Sequence, residues 1–517
     1  MARQKILNIP LNRVEGDLEI SVAIEDGVVT DAWSSGLMYR GIENILTGRA
    51  ALDGLVITPR ICGICTTSHL TAAAQALDAA FAITPPPDAV KVRNLALLCE
   101  MLQSDVKHGF LMFAVDFVNR RYAGHPLFAE AERRYTPFRG ETVLQAIRET
   151  SALVEIIALI GGQWPHSSFM VPGGIASAPS AGDLLQCRIN VKRFRAWYEE
   201  RVLGCRLERW REVQSAADLD AWLAEDDAHR QGELGFFLRF AREADLARTG
   251  RGHGNFLSYG AFPLPAGTAV RPLGKNPDLL VPPGFLAGTA AHATPFHQEK
   301  IAEHLRYSWY EDDTDPLHPA LGQTRPYASG DEGGKYSWAK APRYDGRPAE
   351  TGPLAEMLIS GQPLFTDLAA RAGASTFLRQ LARLVRPALL LPALETWSHE
   401  IDPNGLFYRS PAPVADGEGI GLTQVPRGAL GHWLTIKDGR IARYQIITPT
   451  AWNGSPRDNQ GTRGPWEEAL IGASVADPDN PVELGHVVRS FDACLVCTVH
   501  QVRGDRTRAG QTWRVGL

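Results

Sequence analysis

Cysteine is sparse in this chain, with seven among 517 residues. That excludes a disulfide framework, which needs dense, paired cysteines in a small secreted domain. Long apolar runs are missing too, and none approaches the ~20 residues that span a bilayer, so no direct membrane span is expected. The start, Met1-Ala2-Arg3-Gln4-Lys5, leads into an amphipathic strand pattern and not an apolar signal core. The expected placement is therefore cytoplasmic, with membrane association only through partners. Charge of one sign is lacking as well. Fifty-three basic against 58 acidic residues leave a net charge of −5, too mild for a nucleic-acid or acidic-membrane partner. Repeats, low-complexity tracts and a clean linker are also missing. What is there is a globular balance, 44% hydrophobic and 21% charged, enough for a large core.

Four of the seven cysteines fall in two pairs, Cys62-Gly63-Ile64-Cys65 and Cys494-Leu495-Val496-Cys497. Gly63 has no Cβ and permits a turn that brings two sulfurs to one side. Paired thiolates are metal ligands. The pairs lie roughly 430 positions apart, and closing so long a loop costs on the order of 5 kcal/mol. A packed scaffold must offset that cost, so both chain ends are expected in one core. Cys99, Cys187 and Cys205 are scattered among apolar neighbours and read as ordinary buried thiols. Four thiolates admit structural zinc, an iron–sulfur cluster, or a redox metal with open positions. Zinc knuckles lie closer together, and the usual iron–sulfur cysteine runs are missing. The third reading explains more of the surrounding residues.

Periodicity sorts the remainder. Lys5 to Ala32 reads as a β meander, with Ile6, Ile9, Leu18, Ile20, Val22 and Ile24 mostly at even spacing and Glu25-Asp26-Gly27 as a turn. Tyr39 to Leu46 reads as a short helix carrying Glu43. The Ala-rich pattern from Thr66 to Phe81 predicts a helix that puts His69 one turn beyond Cys65, ended by Pro85-Pro86-Pro87. Residues 88–120 read as a long helix ending near Asp116, and 141–160 and 180–203 give two more. Residues 206–350 are poorer in pattern and read as strands, short helices and loops. Residues 353–400 read as helical, interrupted near Pro387 and Pro392. Strands are expected over 417–452, turning at Lys437-Asp438-Gly439, and a final helix over 481–492 delivers the second cysteine pair. The fold class expected is α+β and helix-dominated: a long-helix bundle with small antiparallel sheets from the N-terminal and 417–452 regions. Residues 1–500 are expected to form a single compact domain, and 501–517 a polar, basic tail.

Arg60-Ile61-Cys62-Gly63-Ile64-Cys65 with His69, and Asp492-Ala493-Cys494-Leu495-Val496-Cys497-Thr498-Val499-His500, resemble the two signature motifs of the large, catalytic subunit of nickel–iron hydrogenases. Arg13-Val14-Glu15-Gly16 extends the likeness over nearly the whole chain. The resemblance implies that Cys62 and Cys494 are terminal nickel thiolates, and that Cys65 and Cys497 bridge nickel to an iron carrying carbon monoxide and cyanide. It implies a proton-relay carboxylate at Glu15. Arg427 would hang over the open metal position, held by Asp116 and Asp492 with Pro426 beside it. Thr450 would hydrogen-bond a cyanide, and His69 would sit near a bridging sulfur. Glu43, the backbone carbonyl of Ile446, and His500 would ligate a magnesium. Elementary chemistry agrees with these roles. Heterolytic splitting of dihydrogen needs a metal for the hydride and a base for the proton, such as the Cys494 thiolate, and a carboxylate can carry that proton out of a dry site. Donors such as Arg427 and Thr450 suit diatomic ligands.

The resemblance further implies an iron–sulfur small subunit as electron acceptor, because no other cysteine cluster exists in this chain. It implies a maturation protease and nickel-insertion proteins, and a dimer of heterodimers. The likeness is greatest to the cytoplasmic uptake and hydrogen-sensing branches. The tail favours uptake, and a sensor signalling to a kinase is the alternative. Metal-free relatives that share the scaffold have lost the cysteines. There are two departures. Ala493 stands where the family usually has proline, which loosens the backbone without removing a ligand. The tail beyond His500 is expected to be cut away on maturation.

Overall fold

A computed structural model describes residues 5–10, 18–288, 290–312 and 315–493. Glu15, Cys494, Cys497, His500 and the tail lie outside the described residues. About 46% of the chain is helical, with small antiparallel sheets.

The element that positions everything else is the helix Thr66–Ala80, which starts at Cys65. Ala72, Ala76 and Ala80 recur at a spacing of four and form one smooth stripe. Opposite lies the strand Gly417–Val425, whose Gly417, Gly419 and Gly421 share one face at a spacing of two. The two stripes match in pitch, because eight helical residues rise about 12 Å and four strand residues about 13 Å. Backbone meets backbone along this seam. A Cβ on Gly419 would stand 1.8 Å from the Ala76 carbonyl oxygen, and one on Gly421 1.9 Å from that of Ala72. Gly417 faces Ala80 and Gly421 faces Ala72, so the strand runs towards the cysteine end of the helix. Its next residues, Pro426-Arg427, make a two-residue turn into Gly428–Lys437, with Val425 paired to Gly428. Gly428 has φ +126, and a Cβ there would meet the Thr351 side chain at 2.5 Å, so the turn needs glycine. Arg427 is thereby delivered beside Cys62 and Cys65.

The three strands Gly417–Val425, Gly428–Lys437 and Arg440–Ile447 form one antiparallel sheet, and Lys5–Pro10, Leu18–Glu25 and Val28–Gly36 form another. Both expected tight turns are present, with Asp26 and Gly27 at φ 50 and 77, and Asp438 and Gly439 at φ 50 and 71. The N-terminal sheet packs on the C-terminal segment. Leu18, Ile20 and Val22 share a core with Trp466, Leu484, Val487 and Phe491, and Ser34 N donates to Glu467 Oε1 at 3.0 Å. The N-terminal sheet and the last described segment thus share one core.

Pro87–Lys107 packs on Glu141–Gly161 and on Thr376–Glu400, and Ala181–Trp197 packs on the latter two. The helix read over 88–120 differs in detail. It stays α-helical to Lys107, widens into a π turn over His108–Phe113 and tightens over Ala114–Val118. The region read over 180–203 widens likewise at Tyr198–Leu203 and stops at Gly204, with φ +70. The break expected near Pro387 and Pro392 does not occur, and Thr376–Glu400 runs through both. Prolines cost helix stability locally, but here Arg379, Arg383 and Arg386 pin the helix by buried ion pairs. Cys99 and Cys187 are buried as expected, whereas Cys205 is only half-buried.

Gly421→Val places three carbons where the Ala72 carbonyl stands, and is expected to lower unfolding free energy by about 3 kcal/mol or more. Gly439→Ala, at an open turn with nothing within 4 Å of a Cβ, is expected to cost only about 1 kcal/mol. Denaturant midpoints of the two variants measure the contrast.

Candidate metal centre

Cys62 and Cys65 sit at the mouth of the Thr66–Ala80 helix, 1% and 6% exposed. The Cys65 amide donates to Cys62 Sγ at 3.3 Å, which curls both sulfurs onto one wall. Arg40 clamps the approach by donating to the carbonyls of Arg60 and Ile61. The start of the helix is fixed by a residue that sequence reasoning missed. Glu100 accepts from the amides of Thr67 (2.7 Å) and Ser68 (2.8 Å) and from the Ser68 hydroxyl (2.5 Å). It caps the helix from outside and places negative charge at the positive helix end. Burial pushes its carboxyl up, and the donors from Ser68 and Thr67 pull it back.

The two cysteines line a cavity of about 10 Å³ with His69, Arg427, Thr448 and Pro449, among others. Thr450 is 1% exposed in the short helix Pro449–Asn453, one residue beyond that wall. Arg427 Nε donates to Asp492 Oδ1 at 3.1 Å. Asp492 Oδ2 stands 3.0 Å from Arg383 Nη1, which also reaches Asp105 Oδ1 at 2.9 Å. Arg386 donates to both Asp105 oxygens at 2.8 and 2.7 Å and to Glu356 at 2.9 and 3.0 Å. Arg386 and Arg383 also donate to the Pro426 carbonyl, at 2.7 and 3.2 Å. Arg383, Arg386 and Arg427 are thus balanced by Asp105, Glu356 and Asp492, the arrangement a dry interior demands of charge. Phe491, next to Asp492, lies 3.8 Å under the Arg379 guanidinium. His108 Nε2 lies 3.9 Å from Asp492 Oδ1, but burial drives His108 down to about 3. It is a neutral ring there, bonded to the Arg489 carbonyl at 2.7 Å.

Asp116 is buried, at 5% exposure. It forms an ion pair with Arg489, at 2.6 Å, and Arg427 forms one with Asp492. Asp116 stands on the tightened segment Ala114–Val118 beyond the π turn and meets the Val482–Ser490 helix there, and Asp105 joins the arginine network. Asp105, Arg383 and Arg386 were missed as well. Their signal in the sequence is a charge embedded in an otherwise apolar helical stripe, which no local motif decorates.

Glu43 lies in a second cavity, of about 60 Å³, together with Glu303, Lys340 and Ile446. Its Oε1 accepts from the Ile446 amide at 2.8 Å, so the contact seen there is to the N–H. The Lys340 ammonium stands 3.7 Å from Glu43 and 3.4 Å from Glu303, and burial pushes Glu303 up to about 7. Among the described residues, no three His, Cys, Asp or Glu side chains converge on a metal position. The first cavity fits a soft transition metal by its donors: two buried thiols facing a guanidinium, with open space between them.

Comparison with known proteins agrees. A family profile described as nickel-dependent hydrogenase matches residues 40–133 and 237–500. The periplasmic [NiFeSe] hydrogenase large subunit of Desulfomicrobium baculatum is 34% identical over 97% of this chain and 96% of its own length. The uptake hydrogenase large subunit of Bradyrhizobium diazoefficiens is 28% identical over 97% of this chain and 96% of its own. The structure of the Ni-Fe-Se hydrogenase from D. vulgaris Hildenborough in the reduced state superposes with a TM-score of 0.79, at 33% identity, covering 97% of this chain and 100% of that one. The chain belongs to the nickel-dependent hydrogenase family, as a large subunit.

Proposed function

We propose that this chain is the catalytic subunit that oxidises dihydrogen to protons and electrons and hands the electrons to an iron–sulfur small subunit. The observation that carries the reading is the buried Cys62–Cys65 pair under Arg427, which Asp492 holds from the far end of the chain. Cys494 follows Asp492 by two positions, a span of at most about 7 Å, which supports both cysteine pairs serving one centre. A nickel–iron centre held by Cys62, Cys65, Cys494 and Cys497, with carbon monoxide and cyanide on iron, supplies the two-electron chemistry when bound.

The chain's own residues do the rest. Ile61, Val425 and Leu430 keep the cavity apolar, which strengthens every charge and donor inside it. Arg427 cannot swing, because Asp492 holds its Nε, and so it offers N–H donors at a fixed place. The Thr450 hydroxyl adds a neutral donor for cyanide. With the centre bound and taking the hydride, the Cys494 thiolate would be the base for the proton of dihydrogen, and Glu15 would carry that proton outward. With no other cysteine pair in the chain, the electrons leave through the partner, in a dimer of heterodimers. The magnesium reading rests on Glu43 and His500, with the Ile446 carbonyl. The cytoplasmic placement stays part of the proposal on the sparse cysteines alone. One relative is described as periplasmic, so cell fractionation tests it.

Purified with its partner, the wild-type chain is expected to contain nickel and iron and to reduce a viologen dye under dihydrogen. Cys62→Ser loses nickel and activity together. Arg427→Lys keeps both metals and loses turnover by about 10²-fold. A metal-free wild type that still supports its cellular role would remove the reading. Nickel-insertion proteins and a maturation protease are expected to complete the chain, so intact mass of the active complex should show a large subunit ending at His500. A mass that retains 501–517 would contradict the cleavage.

A further inference from the structure

Behind the cysteines runs a hydrogen-bonded chain that none of the steps above uses. His69 Nδ1 lies 3.1 Å from His432 Nε2, and His432 Nδ1 lies 2.8 Å from the Tyr444 hydroxyl. All three side chains are buried, at 3%, 0% and 2% exposure. His432 and Tyr444 come from the neighbouring strands Gly428–Lys437 and Arg440–Ile447, and they approach on a diagonal of the sheet.

The direction of these bonds is forced from the outer end. A phenol has one proton to give. Among the described residues, the Tyr444 hydroxyl makes a single hydrogen bond, the one to His432. In a dry interior an unused O–H costs free energy, so this O–H donates to His432 Nδ1. A nitrogen that accepts carries no proton, so the His432 proton sits on Nε2 and is donated to His69 Nδ1. His69 Nδ1 accepts in turn, and the His69 proton sits on Nε2. A ring that accepts at Nδ1 from a buried O–H and donates at Nε2 is neutral by that geometry. Burial first, and then its neighbour His69, keep the His432 imidazole far below its ordinary range.

We propose that Tyr444 and His432 are positioning residues that lock His69 in its Nε2–H tautomer, so that His69 presents a donor and not a lone pair to the cavity it shares with Cys62 and Cys65. The proposal rests on the nickel–iron reading. A thiolate bound to metal is electron-rich and accepts such a donor, whereas an imidazole lone pair would repel it. Hydrogen bonding draws electron density from the sulfur, and so from iron.

Infrared spectroscopy of the purified complex reads that density in the carbon monoxide and cyanide bands. Tyr444→Phe removes one oxygen and leaves the ring packing intact. It is expected to release the tautomer and move or split the carbon monoxide band towards lower frequency. His432→Leu is expected to shift it the same way. His432→Gln keeps an amide donor near the Nε2 position, and the Tyr444 O–H on its amide oxygen holds that donor towards His69, so it keeps the wild-type bands. Wild-type bands that stay put in both Tyr444→Phe and His432→Leu would overturn the proposal and leave the nickel–iron reading standing. A His432→Gln variant that shifts as far as His432→Leu would overturn it in the same way. A wild type without such bands would remove the reading and the proposal together.

Discussion

The interaction on which the structure depends is the ion pair between Asp492 and Arg427, shared with Arg383. Asp492 lies near the C-terminal end of the chain, and it reaches a hairpin turn that the glycine–alanine seam sets beside Cys62 and Cys65. One carboxylate therefore joins three distant parts of the chain at the cavity. In a buried site this tie is strong in only one sense. Replacing a whole charge network by apolar residues is often neutral, but removing a single partner strands a charge and costs about 3–5 kcal/mol. The network is thus a device for placement. It fixes where Arg427 points and where the C-terminal segment enters, at the expense of tolerating no partial loss.

The scaffold around that tie is economical in side chains. Where the helix and the strand must come closest they meet as bare backbone, Gly419 and Gly421 against the Ala76 and Ala72 carbonyls. The cap on the same helix comes from Glu100, a third element, so the cysteine loop is held from the strand side and from the helix side. The N-terminal sheet and the C-terminal segment then share one apolar core, which supplies the burial that offsets closing so long a loop.

Much of this is legible in the sequence because it is local. Two-residue turns at Asp26-Gly27 and Asp438-Gly439, the Ala-rich helix after Cys65 and the cysteine pairs each carry their chemistry within a few positions. Partner choice is not local. Asp105 and Asp116 lie on one helical path, yet Asp105 pairs with Arg383 and Arg386 and Asp116 with Arg489, a choice that apolar periodicity does not reveal. Glu100 looks like an isolated charge in an apolar helix until its partner, a helix start earlier in the chain, is placed beside it. Pro387 and Pro392 mislead for the opposite reason, since tertiary ion pairs outweigh a local preference. His432 and Tyr444 carry no motif at all, and only their hydrogen bonds mark them.

The proposed oxidation of dihydrogen rests on sulfurs from both cysteine pairs converging on one nickel. X-ray absorption at the nickel edge of the purified complex measures that most directly. The expected nickel shell is made of sulfur, and it thins when either Cys62 or Cys494 becomes serine. A shell of nitrogen and oxygen alone, or one unmoved by Cys494→Ser, would contradict it.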